Sequence, residues 1–84
     1  MKFLILDYIK KINKNDIYNF MKSNNIYLNN EELENIHILL KDNNILNYSD
    51  NDYEVIIKNN VKPHNFQNTY NLFIQYKKKY QNYL

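Results

Sequence analysis

Two histidines, three Ser or Thr hydroxyls and a run of lysines set among tyrosines are the residues of this chain best equipped for chemistry. The histidines, His37 and His64, each lack a partner at the i+3 or i+4 spacing that makes a metal site on a helix. The hydroxyls belong to Ser23, Ser49 and Thr69. Ser49 reads as a helix cap, Ser23 falls near a helix end, and Thr69 falls on a helix face. With no cysteine in the chain, thiolate ligands and thiol nucleophiles are excluded. With no glycine, a Gly-rich phosphate cradle is excluded as well. The stretch Asp50-Asn51-Asp52-Tyr53-Glu54 opens like a calcium-binding loop. That loop needs Gly at its sixth position and Glu at its twelfth, where this chain has Val55 and Val61. An acidic helix start explains these carboxylates better, because acids are stabilised at a helix N-terminus. No pair of carboxylates stands in an apolar surround as general acid–base catalysis requires. The expectation is a non-catalytic protein with no cofactor and no metal.

The strongest positive feature lies near the C-terminus, where Lys77-Lys78-Lys79 is flanked by Tyr76, Tyr80 and Tyr83. Lysines interleaved with aromatic rings suit single-stranded nucleic acid, whose bases stack on rings while phosphates meet cations. The same lysines also complement the negative end of a helix dipole, and that simpler role is the leading reading. Charge is distributed unevenly. Residues 1–42 balance six lysines against six acids, whereas residues 55–84 carry five lysines and no acid, for an overall formal charge of +2. Nine tyrosines are more than so short a chain buries, and Tyr is a preferred anchor at protein interfaces. Tyr18, Tyr27 and Tyr83 fall off the apolar stripes and are candidates for that role. A protein–protein interaction module, binding a partner or a second copy, is therefore the first functional expectation. A nucleic-acid accessory protein using Lys62, Lys77, Lys78 and Lys79 with nearby Tyr is the second.

The elements that would position these residues are all helices. The 84 residues amount to one domain, spanning 1–84. A chain of this size buries about 60–65% of its unfolded surface, so a deep cleft competes with the core for side chains. Eighteen Asn residues, with no Ala and no Arg, are the signature of AT-rich codons, as in an AT-rich bacterial genome, rather than of a sugar or prion-like function. Lack of cysteine favours a reducing compartment, here the cytoplasm. The apolar run at Phe3–Leu6 is broken by Asp7, too early for a signal peptide or a membrane span.

Capping residues serve as punctuation. A first helix spans about Lys2–Ile12, with Ile5, Tyr8, Ile9 and Ile12 as its apolar face. Asn13 with Asp16, Asn29 with Glu32, and Ser49 with Asp52 each form a cap-x-x-acid start. These open helices over about Lys14–Asn24, Asn30–Lys41 and Asp50–Asn59. Ile17, Phe20 and Met21 point inward on the second helix, Leu33, Ile36, Leu39 and Leu40 on the third, and Tyr53, Ile56 and Ile57 on the fourth. Asn24 or Asn25 supplies the left-handed closing residue that Gly usually provides. Ile45 and Leu46 anchor the connection that follows the third helix. Pro63 opens a fifth helix reaching about Tyr80, with Phe66, Tyr70, Phe73 and Tyr80 along one side and Thr69, Leu72 and Tyr76 adjacent. The expected fold is all-α, a compact bundle of about five short helices joined by short turns.

The order of these devices resembles the YqfT-like family of short Firmicutes proteins. The resemblance is carried by Ile12-Asn13, Asp16-Ile17, Ile26-Tyr27-Leu28-Asn29, Leu39-Leu40, Ile45-Leu46-Asn47-Tyr48 and Leu72-Phe73-Ile74-Gln75-Tyr76, over about residues 3–76. This chain has Asn where such proteins show Thr caps and a Gly after the second helix, and bulkier residues where they show Ala. The resemblance implies a small cytoplasmic helical protein and transfers no site residue.

Overall fold

A computed structural model describes the backbone of residues 2–82 and the side chains of residues 4–82. Within it the chain forms α1 (Lys2–Lys10), α2 (Lys14–Ser23), α3 (Asn30–Leu40), α4 (Asp50–Asn60) and α5 (Pro63–Gln81), with no strand among the described residues. The all-α bundle expected from capping and periodicity is the fold observed.

The starts of α2 to α5 are fixed by local chemistry. A helix leaves its first amide hydrogens without intrahelical acceptors, and short polar side chains supply them. Asn13 Oδ1 accepts from the Asp16 amide at 2.8 Å, and Asp16 accepts from the Asn13 amide at 3.4 Å. The reciprocal pair recurs at Asn29 and Glu32, at 2.7 and 2.9 Å. It recurs again at Ser49 and Asp52, at 3.1 and 3.0 Å. Helix α5 has no side-chain cap, and Pro63 opens it by removing one of the unpaired donors.

Helix α2 ends without glycine. Asn25 takes the left-handed conformation at φ 61°, which Asn tolerates better than most residues. The Asn25 amide then donates to the Lys22 carbonyl, and the Ile26 amide to the Met21 carbonyl, each at 2.9 Å. This turn delivers Ile26 into the core beside Met21, both almost wholly buried.

Ile26, Ile36 and Ile57 sit at the centre of the core, joined by Ile17, Met21, Leu28, Leu39, Ile45, Tyr53, Val61 and Leu72. Helices α4 and α5 make the most extensive pairing, α2 packs on α3, and α3 packs on α4. The radius of gyration is 12.1 Å, that of a folded chain of this length.

Three expected faces are rotated. On α1 the buried residues are Leu6 and Ile9, whereas Tyr8 is 67% exposed. One short helix buries a narrow stripe, and Leu6 with Ile9 fills it. On α2 Phe20 is 41% exposed rather than inward, leaning on α5 instead of entering the core. On α5 the buried centre is Asn65, Thr69 and Leu72, while Phe66, Tyr70, Phe73 and Tyr80 flank it half-buried. The cause is Asn65, whose amide is drawn inward by a buried carboxylate.

Candidate functional site

That carboxylate belongs to Glu32, 2% exposed. Its Oε1 accepts from the Asn29 amide at 2.9 Å and from Asn65 Nδ2 at 3.2 Å. Its Oε2 accepts from the Lys62 amide at 2.8 Å and from the same Asn65 nitrogen at 3.1 Å. Asn65 Nδ2 also reaches the Tyr27 carbonyl at 3.1 Å. Burial pushes the Glu32 carboxyl up, but donors from Asn29, Lys62 and Asn65, together with the field of His64, outweigh it and hold it below the usual carboxylate range. One side chain thus ties the turn before α3 to the turn before α5. Each of its oxygens is occupied, which suits fastening rather than proton transfer.

The other reactive groups are dispersed. His37 is half-buried on α3, and its charge acts on Glu34. His64 is exposed at the start of α5, where it acts on Glu32. Among the described residues no three His, Cys, Asp or Glu side chains gather as a metal-ligand group. Ser49 is committed to its cap, and Ser23 Oγ donates to the Phe20 carbonyl at 2.7 Å. Thr69 is wholly buried, and among the described residues its hydroxyl has no hydrogen-bond partner.

At the opposite end of α5 lies an apolar cleft of about 410 Å³. Ile9 and Ile12 bound it on one side, Ile17 and Met21 from α2 form a wall, and Leu72 and Phe73 from α5 form its floor. Its rim is aromatic, with Tyr8, Phe20, Tyr76 and Tyr80. Phe20 meets Tyr76 edge-on with centroids 5.5 Å apart, and Tyr76 meets Tyr80 at 6.0 Å. The Tyr80 hydroxyl is pushed up by burial, then by its neighbours Tyr76 and Tyr8. Deeper in, Tyr53 donates to the Ile45 carbonyl. Burial, with lesser contributions from Tyr48, Asp42 and Asp50, pushes the Tyr53 hydroxyl up to about 12. A second, polar groove of about 310 Å³ is lined chiefly by Asn24, Asn25, Asn68, Asn71 and Gln75.

Two of the lysines lie on these rings. Lys77 Nζ sits 2.7 Å from Asp50 Oδ1 and 5.9 Å from the centre of the Tyr53 ring. Lys79 Nζ sits 5.4 Å above the Tyr76 ring. A cation over an aromatic face is attracted by the ring quadrupole. The arrangement is a water-accessible apolar hollow with hydroxyl and ammonium groups at its mouth, the usual make-up of a binding cleft.

Of the seven residues singled out in the sequence, Tyr76, Lys77, Lys79 and Tyr80 come together here. Lys78 is exposed beside them but does not line the cleft. Lys62 caps the other end of α5, about 22 Å away along the axis at the helical rise per residue, so it belongs to no common patch with Lys77–Lys79. Tyr83 lies outside the described residues. Tyr18 and Tyr27 are exposed as expected, at 37% and 59%, but neither lines the cleft. Sequence reasoning missed Tyr8 and Phe20 as rim residues by assigning them to the interior. The available signal was that Leu6 with Ile9, and Ile17 with Met21, already supply an inward pair for each short helix.

Compared with known proteins, the chain matches no family model, no curated protein and no solved structure. The likeness to the YqfT-like pattern therefore rests on sequence devices alone. Among the described residues no helix is long and apolar enough to cross a membrane.

Proposed function

We propose that this chain is a non-catalytic protein-interaction module that receives apolar side chains of a partner in the cleft beside α1, α2 and the C-terminal half of α5. The observation that carries the reading is the cleft of about 410 Å³, open to solvent and rimmed by four aromatic rings. A domain this small has few apolar side chains to spare. Leaving Ile12, Leu40, Leu46 and Phe73 only partly buried around a hollow forgoes packing that a close-packed core would make. Partner side chains seated there recover it. Aromatic rims with an apolar centre are the usual composition of energetic centres at protein interfaces. The lack of cysteine supports a cytoplasmic setting for this activity.

Affinity capture from native lysate with the whole chain, compared with its Phe20→Asp variant, tests the proposal. Phe20 is partly exposed at the rim, so the variant keeps its fold and brings a charge to the mouth of the hollow. The expected result is one or more proteins retained by the original chain and lost with Phe20→Asp, but kept by a Tyr27→Asp control. Monomeric behaviour with nothing retained, or equal retention by both rim and control variants, contradicts the proposal.

A further inference from the structure

Helix α1 forms one wall of the cleft, yet it is the element least built into the fold. Among the described residues it takes part in none of the extensive helix pairings, which join α4 with α5, α2 with α3 and α3 with α4. Of its described side chains only Leu6 and Ile9 are buried, and of these Leu6 alone belongs to the contiguous core. Ile9 faces the cleft instead, with Tyr8 beside it at the rim. Leu4 and Tyr8 lie largely in solvent. Lys10 Nζ donates to Asn43 Oδ1 in the connection after α3, but both residues are exposed, where a hydrogen bond adds little net stability. A helix of nine residues does not hold its form once it leaves its packing surface. The chain beyond it is secured independently. Helix α2 starts on its own reciprocal cap between Asn13 and Asp16, and Lys14 Nζ pairs with Glu34 of α3. Neither device uses a residue of α1. Lys11 and Ile12 lie between the two helices and belong to neither.

Resting on the docking reading above, we propose that α1 is a hinged flap on the cleft, swinging out about Lys11 and Ile12 while α2–α5 stay folded. With Tyr8 and Ile9 gone, the hollow opens into a longer trough, floored by Leu72 and Phe73 and walled by Ile17, Met21 and Leu46. The flap thus sets how much apolar surface a partner meets. Opening of this kind costs less than global unfolding, because it exposes few buried side chains.

Amide hydrogen exchange of the whole chain, with and without Ile57→Val, tests the flap. Ile57 is wholly buried on α4 and does not line the cleft. The amides of Tyr8, Ile9 and Lys10 are expected to exchange about 100-fold faster than those of Ile56 and Lys58, after correction for intrinsic rates. Ile57→Val weakens the core, so exchange in α4 is expected to rise about fivefold while exchange in α1 is unchanged. One common rate for α1 and α4, rising together in Ile57→Val, overturns the flap and leaves the docking reading standing. Because the chain has no cysteine, Lys10→Cys/Asn43→Cys joined by a bis-maleimide holds α1 down selectively. Fluorescence of the apolar dye anilinonaphthalene sulfonate reports the open trough. The joined chain is expected to give a dye signal about threefold lower than the unjoined double variant. Equal dye signals from the two overturn the flap. A dye signal that falls on joining, with nothing retained from lysate, upholds the flap and overturns the docking reading.

Discussion

Helix α5 is held in opposite ways at its two ends. At its N-terminal end Glu32 gathers donors from Asn29, Lys62 and Asn65 in a site water hardly reaches. At its C-terminal end the helix borders a hollow, with Tyr76 and Tyr80 half-exposed and lysines resting on rings. The first end is rigid because a buried carboxylate strongly favours one geometry once all its acceptors are met. The second end carries unfilled apolar surface, the feature that marks binding sites rather than cores. On the proposed reading, stability and recognition fall to different turns of the same helix. The comparison explains why so small a domain tolerates a cleft at all.

The sharpest way to break this division is Glu32→Ala. It strands the Lys62 amide and one of the two Asn65 amide hydrogens, the other keeping the Tyr27 carbonyl, and buried donors without acceptors cost about 1–3 kcal/mol each. A total loss of about 3 kcal/mol is expected, read as a drop in Tm of about 15 °C or more. An unchanged melting curve would remove the clamp from the account. Glu32→Gln removes the titrating charge and, because its NH2 is a donor only, one of the two acceptors as well. Because folding holds this carboxyl below its ordinary value of 4.5, the stability it supplies is complete above that value and is lost as pH falls through the lower folded value. Acid titration of stability should therefore be flatter for Glu32→Gln than for the original chain.

At the other end the effects reverse. Phe20→Asp should weaken binding at the cleft more than tenfold while changing stability by no more than about 1 kcal/mol, as surface substitutions do. A large loss of stability with binding retained would place Phe20 in the core after all. Between the two ends lies Thr69, fully buried with an unpartnered hydroxyl. Thr69→Val keeps the shape and removes the buried polar atom, so chemical denaturation should show a gain of about 1 kcal/mol. The smallest expected effect belongs to a surface cap. Ser49→Ala should cost about 1 kcal/mol or slightly less, without touching the cleft.

The skeleton of this fold is legible in sequence because capping is local. Asn13, Asn29, Ser49 and Pro63 act within a few residues of themselves, and each begins a helix where expected. Asn25 closing α2 belongs with them. What escaped is long-range. Glu32 looks like any third-position acid until the turn at Lys62 and the side chain of Asn65, 33 residues away, arrive beside it. Nothing in the local pattern distinguishes it from Asp16 or Asp52, which stay exposed in the same role. The cleft was half legible. Tyr76, Lys77, Lys79 and Tyr80 stand out by composition, whereas Tyr8 and Phe20 satisfy helical periodicity and so read as inward. Which side of a short helix faces the core depends on its neighbours, and a single period of apolar residues does not decide it.

On the proposed reading, binding at the C-terminal end of α5 leaves the Glu32 clamp untouched. Amide chemical-shift mapping of the whole chain, titrated with a protein captured through the cleft, separates the two ends. Perturbations are expected at Tyr8, Ile12, Phe20, Phe73, Tyr76 and Tyr80, with Asn29, Glu32, Lys62 and Asn65 unmoved. Perturbations centred on the clamp, or spread evenly over all five helices, would contradict it.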